Sequence, residues 1–256
     1  MHSITVHVAP PAKGVALPPI SGSKDASRPL IVIDAGHGGH DPGAANREKG
    51  YKEKDVTLWL AMALKDRLLR DGRMRVALTR SDDRFLLLQE RYDIARRLGA
   101  DLFISLHADA ADNEAAQGAT IYTLSETASD REASRLAARE NRADVINGVN
   151  LGSQDSAVNS ILIDLSQREA MAQSADFARL LYREASPYVP FRSNYHRFAS
   201  LVVLKAPDIP SVLFEAGDIT SAQDIARLTS AEGRNKLAGG VARAIEVYFA
   251  RRLNTP

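Results

Sequence analysis

Residues 31–43 read IVIDAGHGGHDPG, an apolar run that ends in Asp34 and continues into a loop with four glycines and two histidines. The β-branched residues of the run predict a buried strand. In open α/β sheets, ligand sites lie beyond the carboxyl ends of the strands. Glycines let a backbone approach a bound group closely, and imidazole is the commonest metal ligand near physiological pH. We therefore interpret this stretch as a metal-site loop.

Apolar periodicity along the rest of the chain predicts alternating strands and helices. Strands are expected at 74–79, 101–106, 118–124, 201–204 and 211–214. Helices are expected at 55–71, 88–98, 130–147, 157–165, 171–185, 222–228 and 232–253. This alternation predicts an α/β fold, in which one domain has a mostly parallel central sheet with helices on both faces. Within it, residues 125–167 form an inserted helical segment.

Composition limits the classes of partner. The chain of 256 residues has 33 Lys and Arg against 32 Asp and Glu, so no strong basic field attracts it to nucleic acid. It has no cysteine, so a metal must be held by His and carboxylates. No apolar run reaches the roughly 20 residues that span a bilayer. Residues 1–28 are rich in Pro, Gly and Ser and are interpreted as a flexible linker, with 29–256 as the catalytic domain.

Three predicted strands end in His37, His107 and Glu215, and parallel strands present their carboxyl ends at one edge of a sheet. Glu53, at the start of the helix predicted at 55–71, joins them. Two imidazoles and one carboxylate are the ligand set of a catalytic zinc that leaves a fourth position for water. Glu215 would then serve as the base that takes the proton from this water and passes it to the leaving nitrogen.

Other interpretations of the same residues stay open. A zinc carboxypeptidase-like peptidase would use a similar ligand set, with Arg80 or Arg192 and Tyr195 as substrate-binding groups. A catalytically inactive wall-binding module is a non-enzymatic alternative. A phosphate-binding loop is disfavoured, because the Lys and Ser/Thr of a P-loop are absent. His40 and His196 are expected not to be ligands.

Five stretches, in order, resemble a known family. They are DAGHGGHDPGA (34–44), GYKEKD (50–55), Thr79-Arg80 followed by 88–97, SLHAD (105–109) and PSVLFEAG (210–217). This order is similar to that of the zinc-dependent N-acetylmuramoyl-L-alanine amidases. The resemblance implies that His37, Glu53 and His107 bind one zinc ion and that Glu215 is catalytic. The implied reaction is hydrolysis of the amide between N-acetylmuramic acid and L-alanine in peptidoglycan. Asp218 departs from the family, whose members usually have an apolar or aromatic residue there.

The insertion at 125–167 resembles the regulatory segment of Gram-negative cell-division amidases. That resemblance implies autoinhibition, a LytM-domain activator and a periplasmic location, with a signal peptide and an upstream region that this sequence lacks. Glu140 lies within the apolar stripe of the helix predicted at 130–147, where a buried carboxylate without a partner would lower stability. We therefore expect it to be an inhibitory fourth zinc ligand. The helix predicted at 157–165 has a short apolar face that consists of Val158, Ile161, Leu162 and Leu165. This face predicts either packing against the core or a docking site for the activator. We expect the protein to be a monomer.

Overall fold

The computed structural model describes residues 14–110, 117–146 and 160–253, except for the side chains of 145–146, 160–164 and 253. A seven-stranded sheet forms its centre. The strands are β1 (Ser21–Gly22), β2 (Leu30–Ala35), β5 (Arg75–Leu78), β6 (Leu102–His107), β7 (Ala119–Leu124), β8 (Phe191–Ala199) and β9 (Ser211–Glu215). Their order across the sheet is β1-β5-β2-β6-β9-β7-β8. A small separate hairpin joins β3 (Ala45–Asn46) to β4 (Tyr51–Lys52). The central strands β5, β2, β6 and β9 are parallel, whereas β1 and β7 each run antiparallel to their inner neighbour.

Helices cover both faces of the sheet, which confirms the predicted architecture. They are α1 (Glu53–Leu69), α2 (Leu88–Leu98), α3 (Arg131–Glu140), α4 (Ala143–Ile146), α5 (Ser160–Ala185), α6 (Ala222–Thr229) and α7 (Ala231–Leu253), with a 3₁₀ helix at Val202–Leu204. Side chains alternate across a strand, so Ile31 and Ile33 enter the core beneath α1, α5 and α7, while Val32 enters the core beneath α2 and α3. Both cores are closed to water, which fixes the register of the strands that carry the site.

The helix predicted at 130–147 is instead divided into α3 and α4. Asn141 caps the end of α3, and its side chain bonds a distant loop: Nδ2 donates to Ser200 O (2.8 Å), and Oδ1 accepts from Val202 N (3.0 Å). Asp144 in α4 accepts a hydrogen bond from Leu88 N (2.9 Å) at the start of α2. These long-range bonds lie at or next to the break between α3 and α4. Asn147 lies outside the described residues.

Two further predictions of secondary structure are wrong. The helices expected at 157–165 and 171–185 are, within the described residues, one helix, α5, since residues 166–170 contain neither Gly nor Pro. The strand expected at 201–204 is a 3₁₀ helix whose Val203 and Leu204 are buried. A run of four apolar residues fits either structure, so periodicity cannot distinguish them.

The edge strand β8 was not predicted, because its sequence FRSNYHRFA is largely polar. It pairs with β7 alone within the described sheet, and edge strands commonly have charged side chains. The segment interpreted as a linker contributes β1, which pairs with β5, and Val15 O accepts a hydrogen bond from Arg97 Nη1 (2.6 Å).

Candidate active site

The carboxyl ends of β2, β6 and β9 converge on one cluster of polar side chains. His107 and Glu215 are directly paired positions on neighbouring parallel strands. His37 follows β2 in the glycine-rich loop, and Glu53 is the first residue of α1. All four side chains are at most 8 % exposed. The structure therefore brings together the four residues that the sequence analysis selected.

The two histidine rings lie edge to face, with centroids 4.8 Å apart. His37 Nδ1 is 2.8 Å from Asp41 Oδ2, which fixes the ring and directs Nε2 into the cluster. This Nε2 is buried and forms no well-aligned hydrogen bond within the described part of the chain. His37 also has a left-handed backbone (φ 61°), a conformation that costs a non-glycine residue roughly 1–2 kcal/mol. Backbone strain of this kind is concentrated at functional sites.

Glu53 bridges the two rings with separate carboxylate oxygens. Its Oε2 lies 3.1 Å from His37 Nε2, and its Oε1 lies 3.1 Å from His107 Nδ1. The same oxygens accept backbone N–H groups from Ala44 (2.8 Å) and Ala108 (2.9 Å). The carboxylate is thus held rigidly by two loops and faces both imidazoles.

Glu140, at the last position of α3, reaches the same two rings. Its Oε2 is 3.3 Å from His107 Nδ1 and 3.6 Å from His37 Nε2, and the residue is only 4 % exposed. His37, His107 and Glu140 offer donor atoms that all lie within 4.8 Å of one another, a group that could hold a metal ion. The arrangement fits the expectation that Glu140 is a ligand, but this role remains a prediction, as does that of Glu53.

The charge states follow from these contacts. Burial opposes a charge on His37, yet the carboxylates of Glu53 and Glu140 raise the pKa of His37 well above its usual value. Burial likewise acts against ionisation of Glu53, but His37 and His107 hold the pKa of Glu53 well below its usual value. The buried carboxylates of Glu53 and Glu140 therefore require positive charge between them, and either protonated imidazoles or a bound cation supplies it.

Glu215 lies at the side of this cluster. Its Oε2 accepts the N–H of Asp109 (2.8 Å), while Oε1 is buried without a hydrogen-bond partner among the described residues. Burial, followed by the charges of Asp109, Glu53 and Glu140, raises the pKa of Glu215 well above its usual value. A carboxyl group with a raised pKa is suited to exchange protons at neutral pH.

The residues fit a divalent metal of borderline softness. Neutral imidazole and carboxylate donors without thiolates are a zinc ligand set. The surrounding loop leaves no space for larger residues: a Cβ on Gly36 would lie 2.4 Å from His107 Nε2, and one on Gly43 would lie 2.6 Å from Glu53 Oε2. The cradle is therefore shaped around the donor atoms themselves.

Sequence reasoning missed three residues of the site. Asp41 supports His37, and its position four residues later in the same loop could have indicated such a role. Arg139 forms an ion pair with Asp109 and contacts Glu140 Oε1 at 3.3 Å. Burial raises the pKa of Asp109 to about 6, although Arg139 acts in the opposite direction. No local pattern indicates the Arg139–Asp109 pair, because the two residues are distant in sequence.

Ion pairs hold the first turn of α3 to the edge strand. Arg197 binds Asp130 Oδ2 (2.6 Å) and Glu132 Oε2 (2.8 Å). Arg192 also pairs with Glu132, and its Nη2 lies 3.6 Å from Oδ2 of the buried Asp218. Asp218, the departure noted in the sequence, thus connects the loop after β9 to the arginines that hold α3.

The residues proposed for activator docking are only partly described. Val158 lies outside the described residues, and Ile161 and Leu162 lie in α5 with side chains that are not described. Leu165 is 56 % exposed. The structure therefore does not test docking.

The candidate substrate groups of a carboxypeptidase-like enzyme are already engaged. Arg80 is fully buried against backbone carbonyls, and Arg192 is paired with carboxylates. Tyr195 stacks on Tyr182 with ring centroids 3.7 Å apart. The two other histidines in the described part of the chain also have contacts of their own: His40 packs on Phe85, and His196 Nε2 is 2.9 Å from Thr123 Oγ1.

Known proteins resemble this chain over most of its length. N-acetylmuramoyl-L-alanine amidase AmiA of Escherichia coli K12 is 37% identical over 227 residues, which cover 88% of this chain and 78% of that protein. AmiC of E. coli O6:H1 strain CFT073 is 35% identical over 243 residues, which cover 94% of this chain and 57% of that protein. The sequence profile named N-acetylmuramoyl-L-alanine amidase matches residues 31–247.

Solved structures agree with this similarity. The catalytic domain of CwlV, an N-acetylmuramoyl-L-alanine amidase from Bacillus (Paenibacillus) polymyxa var. colistinus, has a TM-score of 0.64 at 27% identity. The match covers 87% of this chain and 98% of that one. N-acetylmuramoyl-L-alanine amidase AmiC2 of Nostoc punctiforme has a TM-score of 0.61 at 28% identity, with the same coverage of both chains. The sequence motifs, the site and these matches together show that this chain belongs to the N-acetylmuramoyl-L-alanine amidase family.

Proposed function

We propose that this protein is a zinc-dependent enzyme that hydrolyses the amide between N-acetylmuramic acid and L-alanine in peptidoglycan. The observation that carries the proposal is the bridging of His37 and His107 by the two oxygens of Glu53, beside the buried Glu215. Membership of the amidase family supports the substrate class.

In this proposal His37, Glu53 and His107 hold the metal, and Asp41 keeps the His37 ring in the required orientation. Zinc, when bound, activates water for attack and polarises the scissile carbonyl. Glu215 accepts the proton of the attacking water at Oε1, which has no hydrogen-bond partner among the described residues, and returns it to the leaving nitrogen. The Asp109 N–H holds the other Glu215 oxygen, Oε2, and so restricts rotation of the carboxyl group.

We further propose that the described state is autoinhibited. Glu140 lies against both histidine rings and is 4 % exposed, so a substrate carbonyl cannot occupy the same position. Arg139 holds Glu140 and Asp109 together at the mouth of the site. A LytM-domain activator that moves α3 would open the site, and the exposed Leu165 in α5 supports a docking role for this segment.

The same proposal places the enzyme in the periplasm, as a monomer that remodels the cell wall during daughter-cell separation. It rests on the substrate class and on the relatives named above. Among the described residues, no helix combines the length and the apolar character that a membrane crossing requires.

The test combines metal content with product analysis. Purified protein is assayed for zinc and incubated with peptidoglycan, with and without a LytM-domain protein, and soluble products are identified by mass. About one zinc per chain and release of peptides with a free L-alanine amino terminus are expected.

Glu215→Gln is the matched variant, and it should retain zinc but release no peptide. Release of C-terminal amino acids instead would indicate a carboxypeptidase. Zinc without any product, in the presence of activator, would indicate an inactive wall-binding module.

A further inference from the structure

Two arginines are buried directly behind the loop that carries His37. Arg80 follows β5 and is 0 % exposed, and Arg91 lies in α2 and is 2 % exposed. Among the described residues, neither guanidinium forms a hydrogen bond or ion pair with the imidazole rings of His37 and His107 or with the carboxylates of Glu53, Glu140 and Glu215. Arginine is among the side chains least often buried, so two buried arginines beside the same loop require an explanation from their contacts.

Arg80 binds the first part of the loop. Its Nε donates to Ala35 O (2.9 Å), and its Nη2 donates to Gly36 O (2.8 Å). The same Nη2 donates to Lys54 O (2.8 Å) in the first turn of α1, next to Glu53. One guanidinium therefore connects the backbone before His37 to the helix turn that presents Glu53.

Arg91 binds the same loop from the other side. Its Nη1 donates to Ala35 O (2.8 Å), and its Nη2 donates to the carbonyl of His37 itself (2.9 Å). Its Nε donates to Leu86 O (3.1 Å). Three successive carbonyls, at residues 35, 36 and 37, are thus oriented by two cations.

The charge balance shows that the carbonyls are essential partners. Asp34 is the carboxylate that pairs with Arg91 (3.0 Å), and it also accepts bonds from Thr79 Oγ1 (2.6 Å) and Ser105 Oγ (2.7 Å). Within residues 14–110, 117–146 and 160–253, Arg80 has no carboxylate within ion-pair distance. A buried cation without a counter-ion is stable only when hydrogen-bond acceptors surround it, so the loop carbonyls take this role.

We infer that Arg80 and Arg91 are positioning residues that hold the backbone of residues 35–37 and thereby set the metal affinity of the site. The inference deepens the proposed function and rests on it. Both arginines hold the peptide planes on either side of the left-handed His37, so the imidazole is aimed before any ligand arrives. Pre-organised ligands bind more tightly because less order is lost on binding.

The variant that tests this role is Arg80→Lys, which retains the charge. A lysine ammonium is a point donor and cannot reproduce the planar fork that contacts Ala35, Gly36 and Lys54. Thr57→Val is a milder second variant, since the Thr57 hydroxyl donates to Gly36 O (2.9 Å) and carries no charge. Phe177→Leu, in α5 with its side chain in the core, is the control for a general loss of stability.

Two measurements are made on each variant. Zinc dissociation constants are obtained by competition with a chromophoric chelator, and amide hydrogen exchange of residues 35–39 is followed in the zinc-free protein. Arg80→Lys should weaken zinc binding about 10–100-fold, the usual effect of losing a group that orients a ligand, and Thr57→Val should weaken it less. Loop exchange should accelerate in both variants but not in Phe177→Leu.

The outcomes separate the two proposals. Unchanged loop exchange in Arg80→Lys, or a loss of affinity no larger than in Phe177→Leu, would overturn the positioning role. If the unsubstituted protein itself binds no zinc, the proposed function fails, and faster loop exchange alone would then show a backbone role without a metal.

Discussion

Glu140 Oε2 lies 3.3 Å from His107 Nδ1, although the two residues belong to elements that are separate in sequence. The contact inserts a carboxylate from α3 into the space beside two candidate zinc ligands. If Glu140 is the inhibitory ligand that we propose, this buried contact and substrate access exclude each other, and the position of α3 would control whether the proposed chemistry occurs.

Replacing Glu140 with Ala should raise peptidoglycan hydrolysis in the absence of an activator. The substitution removes the group that occupies the space between the rings while leaving His37, Glu53 and His107 intact. We expect at least a tenfold increase, which corresponds to about 1.4 kcal/mol. Initial rates of dye-labelled peptidoglycan release measure it.

Glu140→Gln serves as the matched variant for size, and it should give a smaller increase because an amide is a poorer ligand than a carboxylate. A folded, zinc-containing Glu140→Ala protein that hydrolyses peptidoglycan at an unchanged or lower rate would contradict autoinhibition by this residue.

Weakening the attachment of α3 to β8 should have a smaller effect of the same sign. Arg197 binds both Asp130 and Glu132, so Arg197→Gln removes two ion pairs at the start of α3. Partly exposed pairs of this kind contribute roughly 1 kcal/mol, which corresponds to a shift of about fivefold in basal rate.

Arg243→Gln is the control, because its ion pair with Glu184 joins α7 to α5 at the surface. Equal rates for Arg197→Gln, Arg243→Gln and the unsubstituted protein would contradict a role for these pairs in holding α3.

The buried pair of Asp34 and Arg91 predicts a pH-dependent contribution to stability. Burial raises the pKa of Asp34, but Arg91 and the hydroxyls of Thr79 and Ser105 outweigh it and hold the pKa below its usual value. The contribution is therefore complete above the pKa of the unfolded state and is lost as the pH falls through the lower folded value.

Asp34→Asn should lower the free energy of unfolding by about 3–5 kcal/mol at pH 7, because Arg91 is left buried without its counter-ion. Urea unfolding at pH 7 and at pH 3 measures the difference. The difference in the free energy of unfolding between the variant and the unsubstituted protein should be smaller at pH 3 than at pH 7. A gap that widens with acid would show that the pKa shift has the opposite sign.

Activator docking on α5 predicts that Leu162→Lys abolishes activator binding, and Leu165→Lys should weaken it as well. Leu165 is 56 % exposed, so a lysine there should leave the melting temperature unchanged. Calorimetric titration with a purified LytM-domain protein measures the affinity. Tyr188→Lys, which changes an exposed aromatic beyond the carboxyl end of α5, is the control. Folded variants with unchanged affinity would show that the surface lies elsewhere.

Three of the four residues selected for the site were predictable because each follows a strand of a parallel sheet. His37, His107 and Glu215 each follow an apolar run, and the rule that parallel strands end at one edge is enough to bring them together. Glu140 was predictable for another reason: a carboxylate in an apolar helical stripe needs a buried partner.

The rest of the site depends on contacts that local sequence does not encode. Arg192 and Arg197 lie on an edge strand with little apolar pattern, and their partners in α3 are about 60 residues earlier. Asn141 ends α3 through bonds to a distant loop, although the surrounding residues have good helix propensity. Arg80 was considered as a substrate-binding residue, whereas its contacts are structural. In each case a tertiary partner overrides the local tendency.

The attachment of α3 at both of its ends has a mechanical consequence. Asp130 fastens the first turn to Arg197, while Asn141 fastens the last turn to Ser200 and Val202. Loss of one attachment leaves the other in place, so under the proposed autoinhibition it frees Glu140 only in part. Full displacement of α3 would require both attachments to break, and a partner that contacts both ends of the helix would therefore have a much larger effect than a change at one end.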